Sequence, residues 1–593
     1  MKTPLLALLL SCLLVPSIHA ATGFDDWVES VAQEWMRSDP MAATRSQYLP
    51  PGEQAANDRL LAGPDGLVAI DASAQAAMVQ RAKAGLEGLK RWPVNELTPT
   101  QRVSYDFLQW RFENGIRQSG SWEVSYLFTQ FGGFHTSLVN FMTQTHPIRN
   151  PEDVRSFLIR IQQVAPLLDR AVVEAKARGD RGIIPPRFIL DATLRGLDRF
   201  LAPAPAENVF VTSLRDRIAR AGLTPEARAE ALATTEQITT QAIIPAFQRI
   251  RALLVSQQPL ATDDAGISSR PGGVLAYAHA LENHTTTKLT ADEIHAIGLR
   301  EVTRLEAEMD VIFRQLGYVD GTIAQRMIAL NRKLIPPAEP DPRPAIIEQY
   351  TRIIREAEQR APAFFDLLPK APVEVRREPP FTEAGAAARY TVPAPDGSMP
   401  GIFWAPILNL DPDVLWLGAG MKTVAYHEAI PGHHYQLTLQ QELPEVPRFR
   451  KYRALGGATA FSEGWGLYSE RLADEAGWYE GDSEGRLGYL QAQLFRARRL
   501  VVDTGLHAKG WTRQQAIDYG IQPSEVERYV VIPGQACAYM IGYLKIVELR
   551  ERAKTKLGDK FALKQYHNLL LRTGTVPLDV LEQVVDEWIA SQA

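Results

Sequence analysis

Residues 289–294 read Leu-Thr-Ala-Asp-Glu-Ile, and apolar residues then recur every three or four positions as far as Leu316. Thr290 can accept from the backbone N–H of Glu293 while the Glu293 carboxylate reaches back to the N–H of Thr290. Leu289 and Ile294 stand where a hydrophobic staple closes over such a capping box. The same period marks Phe24–Arg37, Pro151–Arg178, Thr224–Leu254, Arg343–Leu368 and Leu578–Ala590. The fold class expected is therefore mainly α: a large multi-helix body. One region departs from the period. Val373–Arg376, Ala388–Val392 and Gly401–Leu408 are short, hold β-branched or aromatic residues, and are separated by prolines. Asp396-Gly397 is a hairpin signal between the last two. A small antiparallel β-sheet is expected across 373–408.

No internal repeat or low-complexity tract interrupts the 593 residues. Arg270-Pro271-Gly272-Gly273 is the best hinge, and divides an N-terminal helical half (21–270) from a C-terminal half (271–593). The formal net charge of -5 offers no basic footprint for nucleic acid. Lys2, the apolar run Leu5–Val15 and Ser17-Ile18-His19-Ala20 make residues 1–20 a secretory signal peptide, cleaved after Ala20. A periplasmic or secreted protein follows. Leu9-Leu10-Ser11-Cys12 resembles a loose lipoprotein box, so a lipoprotein anchored at Cys12 is the alternative. No other stretch approaches the ~18 apolar residues of a membrane helix, so no integral membrane segment is expected after signal removal. Cys12 and Cys537 are the only cysteines. With the signal removed, no intramolecular disulfide can form.

The chemistry concentrates at Tyr426–Gln436, which reads YHEAIPGHHYQ. A metallopeptidase helix usually carries His-Glu-x-x-His, with both imidazoles on one face, the glutamate as base, and a further carboxylate on the metal. Here position i+4 from His427 is Pro431, which cannot ligate. On a regular helix i+6 (His433) points about 120° away from His427. His434, at i+7, returns to within about 20° but lies about 10 Å further along the axis. A regular helix fails for both. Proline kinks or bulges a helix, and two residues inserted at Pro431-Gly432 would carry His433 to the usual i+4 place. The expectation is a distorted metal helix over 421–440, with His427 and His433 as ligands, Glu428 as general base and His434 as reserve ligand. Helical character resumes after Gly456-Gly457 with Phe-Ser-Glu-Gly-Trp-Gly-Leu-Tyr-Ser-Glu, 461–470. Glu463 is the third ligand expected, because Gly464 and Gly466 beside it permit close approach. Glu470, seven residues on and on the same face, can orient a ligand imidazole. Packing or surface roles are the plain alternative for each of these residues taken alone.

These two segments resemble the bacterial DUF885 proteins, a family of uncharacterised function placed near the zincin peptidases. So do Leu289–Glu308, Val502–His507 (VDTGLH) and Pro533–Gly542 (PGQACAYMIG). In that family's motif the histidine directly after Pro-Gly is the regular one, which favours His433. More distantly the arrangement is similar to the all-helical thimet-type oligopeptidases, Taq-type carboxypeptidases and angiotensin-converting enzyme. That resemblance implies one Zn²⁺ held by two histidines and a glutamate, in a central channel between two helical halves, and short-peptide substrates. It also implies a tyrosine hydroxyl that supports the oxyanion: Tyr539, with Tyr543 as alternative. His507 is a further donor candidate, unless it pairs with Asp503 four residues earlier. Two histidines and a carboxylate also make the facial triad of non-haem iron oxygenases, and a peptide-binding protein with a vestigial site is a third reading.

Overall fold

The capping box forms as its residues dictate. Glu293 N–H donates to Thr290 Oγ1 at 3.3 Å and Thr290 N–H to Glu293 Oε2 at 2.8 Å, and the helix that follows spans Ala291–Gln315. The computed structural model describes residues 23–592, apart from 64–65, 339, 379–382, 384–386, 395–396, 398 and 408–409. Residues 1–20, expected as a signal peptide and holding Cys12, and Asp396 of the hairpin signal lie outside the described residues. Helices occur where the apolar period places them: Phe24–Ser38, Pro151–Asp180, Arg343–Arg360 and Leu578–Gln592. Between Pro225–Ile238 and Ile244–Gln257 a single π-turn intervenes. It ends two residues before Pro245, whose missing N–H cannot continue an i→i−4 ladder.

The small sheet is mixed rather than antiparallel. Strands β1 (Val373–Arg377), β2 (Arg389–Thr391) and β3 (Gly401–Ala405) stand in the order β1-β3-β2. β1 runs parallel to β3 from the pair Val373 and Gly401, and β2 runs antiparallel to β3 from Arg389 and Trp404. The cause is composition. β3 reads GIFWA and is almost wholly buried, so it takes the centre. β1 reads VEVRR, and its charged side chains suit a solvated edge. The hairpin joining β2 to β3 turns through Gly397 at φ +73°.

The largest apolar cluster draws on both ends of the described sequence, Phe24 to Val124 and Ile267 to Val585, while a second is built from within 61–261. Two close helix contacts position the site. Helix Ala291–Gln315 lies along Ser483–Ala508 through Gly298, where a Cβ would stand 2.7 Å from Val501 Cγ2. Helix Thr459–Glu475 lies against Ala538–Leu557, where a Cβ on Gly464 would meet the Gly542 carbonyl carbon at 2.4 Å. Among the described residues no single helix is long and apolar enough to cross a membrane.

Candidate metal centre

Pro431-Gly432 does more than bulge a helix. The helix divides into Met421–Glu428 and His433–Glu442, with Ile430–Pro431 cis between them. The hydrogen-bond ladder records the insertion directly: Ala429 N–H still donates to Ala425 O, but Tyr435 N–H donates to Ala429 O, six residues back. Six minus four leaves two extra residues, those the sequence reading assigned to the wedge. Gly432 lies on the carbonyls of the preceding helix, where a Cβ would come within 1.9 Å of His427 O and 2.3 Å of Tyr426 O. The Pro431 carbonyl, freed from the ladder, accepts from Trp465 Nε1 at 2.9 Å and Ser469 Oγ at 3.1 Å. Helix 459–475 thus clamps the interruption.

The outcome is a cluster of His427, His433 and Glu463, whose ligand atoms lie within 4.8 Å of one another. Glu463 Oε2 stands 3.6 Å from His427 Nε2 and 3.4 Å from His433 Nε2. Two ligands on a tetrahedral ion with bonds of 2.0–2.1 Å are separated by about 3.3–3.4 Å, so these spacings are those of a metal-sized polyhedron. The two imidazoles cross at 86°, ring centres 4.7 Å apart. Gly466 makes room for one of them, since a Cβ there would stand 2.6 Å from the His427 ring. The small residues beside Glu463 therefore serve two contacts: Gly466 admits an imidazole and Gly464 admits a neighbouring helix.

Glu470 stands where an orienting carboxylate belongs. Its Oε1 is 2.8 Å from His427 Nδ1 and its Oε2 accepts from Gln493 Nε2 at 3.0 Å. That contact turns the opposite nitrogen, Nε2, toward Glu463. Sequence reasoning missed Gln493, 23 residues beyond Glu470, because a neutral side chain in an ordinary helix carries no local signal. Burial alone would lower the His427 pKa, but Glu463 and Glu470 outweigh it and hold the imidazole up to about 10. Burial likewise pushes Glu463 up, yet His433 and His427 hold its carboxyl well below the usual range. Glu428 is buried and belongs to no ion pair among the described residues. Burial raises its pKa, with Glu463 adding to the rise and the two histidines opposing it. It therefore sits within electrostatic reach of all three ligands without being one of them.

The other candidates separate clearly. His434 faces the sheet: Tyr390 of β2 reaches its Nδ1 at 2.9 Å and Thr438 Oγ1 lies 3.2 Å away. It takes no part in the cluster, so His433 is the histidine of the pair that joins the candidate site. His507 is corrected. Its Nδ1 accepts from Ile267 N–H at 3.0 Å and its Nε2 reaches Tyr529 O at 3.0 Å. A fully buried, neutral imidazole spent on two backbone groups has no N–H left for an oxyanion; burial lowers its pKa to about 3. Nor does it pair with Asp503, whose carboxylate accepts instead from Tyr277 Oη at 2.7 Å and Gly534 N–H at 3.0 Å. Tyr543 accepts from Arg471 at 3.2 Å. Tyr539 is half-buried under the Arg499 guanidinium, 4.5 Å from the ring centre. Among the described residues neither tyrosine hydrogen-bonds to His427, His433 or Glu463.

The sequence profile of bacterial proteins of unknown function, DUF885, matches residues 58–585. The chain belongs to the DUF885 family. Solved structures share the fold. A protein from Colwellia psychrerythraea, described as a candidate lipoprotein, is 28% identical, with a TM-score of 0.85 over 96% of this chain and 100% of its own. A candidate lipoprotein of unknown function from Shewanella oneidensis is 20% identical, with a TM-score of 0.71 over 95% of this chain and 99% of its own, and shows the fold alone. No curated protein matches.

Proposed function

We propose that this DUF885 chain is an exported, zinc-dependent peptidase acting on short peptides. The observation that supports it best is the convergence of His427, His433 and Glu463 at metal-ligand spacing, with Glu470 behind His427 and an uncommitted, buried Glu428 alongside. Three donors suit a catalytic site better than a closed structural one, which takes four protein ligands. When bound, the ion supplies Lewis acidity, the property that lets a water lose a proton near neutral pH. The chain's own residues would do the rest. His427, His433 and Glu463 would hold the ion, with Glu470 fixing the His427 ring. Glu428, whose pKa burial raises, would take a proton from the attacking water on its carboxylate and return it to the departing amine. Tyr539 is the hydroxyl assigned to the developing oxyanion, carried on the helix that packs against Glu463's own.

Elemental analysis tests the centre. Wild-type protein should carry about one equivalent of zinc, and His433→Ala should lose it. An absence of metal in both after incubation with Zn²⁺ would hand the lead to the peptide-binding reading, and iron in place of zinc to the oxygenase reading. Export is the second element of the proposal. It rests on residues 2–20 and on the Colwellia neighbour, which is described as a candidate lipoprotein. The mass of the mature chain should place its N-terminus at Ala21; an acylated Cys12 would make it a lipoprotein, and an intact Met1 would refute export.

A further inference from the structure

Arg453 occupies a backbone position that glycine normally fills. The short helix Arg448–Lys451 ends in a paired turn, with Ala454 N–H donating to Phe449 O at 2.8 Å and Arg453 N–H to Arg450 O at 3.2 Å. Such a turn forces its penultimate residue into the left-handed region, and Arg453 stands at φ +53°. A side chain is strained there, and strain of this kind persists where something else requires the residue. Arg453, Thr286 and Gln47 are the only non-glycine residues with positive φ among those described. Glycines are at hand, since Gly456 and Gly457 follow within four residues. The chain nonetheless puts an arginine at the turn.

The strained side chain makes no contact that would explain it. Among the described residues no carboxylate, carbonyl or hydroxyl accepts from its guanidinium. Its neighbours differ: Arg448 pairs with Glu29, and Arg450 donates to the Thr573 carbonyl. Arg453 is exposed to solvent, yet desolvation by the surrounding protein lowers its pKa, opposed by the charge of Glu463. Gly457 clears the guanidinium's place, for a Cβ there would stand 2.7 Å from Nε and Nη2. Gly457 stands two residues before helix Thr459–Glu475, whose second turn carries Glu463, so the guanidinium lies at the end of that helix nearest the three candidate ligands. From the N-terminal part of the chain, Arg111 Nε donates to Leu455 O at 2.7 Å and ties down the same loop.

A free guanidinium at that place matches a carboxylate, which its planar fork can bind through two parallel hydrogen bonds. An internal stretch of peptide offers no such charge; the end of a peptide always does. We propose that Arg453 binds the C-terminal carboxylate of a peptide substrate, so that the centre at His427, His433 and Glu463 acts near the end of the chain. The proposal rests on the peptidase reading for its substrate class.

The test is calorimetric binding to mature protein carrying Glu428→Gln, which would leave peptides uncut. Three probes are compared: N-acetyl-tetra-alanine as free acid, the same peptide as C-terminal amide, and an N-acetylated amide ending in glutamate. The free acid should bind at least about tenfold more tightly than either amide. Arg453→Gly should erase that preference while leaving the melting temperature unchanged or higher, because glycine relieves the turn; a merely structural arginine would lower it. Gly457→Ala, which displaces the guanidinium, should weaken the preference with Arg453 still present. Equal binding of all three peptides, binding of none, or a preference that survives Arg453→Gly overturns the assignment. Tight binding of the glutamate amide would overturn it in favour of side-chain recognition. Turnover by wild-type protein is read separately. Cleavage of acid and amide at equal rates sinks the role of Arg453 and leaves the peptidase reading standing. If neither is cleaved, the peptidase reading falls, and the binding preference still decides Arg453.

Discussion

Glu428→Gln should retain its metal and lose about 10²- to 10⁴-fold in turnover on any short peptide the wild type cleaves. The reasoning starts from position. Glu428 is the last residue of helix Met421–Glu428, directly after a ligand and directly before the interruption. Its carboxylate is absent from the ligand cluster, so an amide of the same shape leaves the three donors untouched. What the amide removes is a proton acceptor whose pKa burial has already raised. The loss should therefore fall on kcat, with KM and zinc content little changed. Peptide assays beside elemental analysis separate the outcomes. Activity within tenfold of wild type would remove Glu428 from the chemistry, and loss of metal would make it a ligand.

The second large effect is expected from a single methyl group. Gly432→Ala places a carbon where the carbonyls of Tyr426 and His427 already stand, at 2.3 and 1.9 Å. Both acceptors are backbone, so no side chain can swing aside, and the loop must lift away from the preceding helix. Overpacking of this kind costs roughly 1–3 kcal/mol. The more telling consequence is geometric. Lifting the loop moves His433, the first residue of the next helix, away from Glu463. Gly432→Ala should melt at a lower temperature and bind substantially less than one equivalent of zinc. Full metal content at an unchanged melting temperature would show that the interruption can relax, and would weaken its role as the device that aligns the ligands.

Much of this was written locally. The Thr290–Glu293 box is a contact over three residues, and its hydrogen bonds form as the sequence implies. The three strands announce themselves by residue type. Their pairing does not, because which strand takes the centre is settled by burial of Ile402 and Phe403 against the rest of the fold. The metal site lies between these cases. Counting residues from His427 was enough to reject a straight helix and to favour His433, since the insertion is local. That the helix stops altogether follows from Trp465 and Ser469 claiming the Pro431 carbonyl, which no count reveals. His507 misled because both its partners are distant: Ile267 lies 240 residues before it and Tyr529 lies 22 after. Arg453 gave no signal, since a left-handed arginine is spelled like any other.

The carboxylates on either side of His427 carry one more consequence. With Glu470 against Nδ1 and Glu463 facing Nε2, the imidazole keeps its proton to about pH 10 when nothing else occupies the centre. A hydrogen ion then serves as placeholder, neutralising the acidic side chains and keeping the donors drawn together. Metal and proton compete for one seat, so uptake of the ion releases acid, and affinity climbs as the medium becomes more alkaline. Were the chain exported as proposed, the external pH would act as a dial on occupancy.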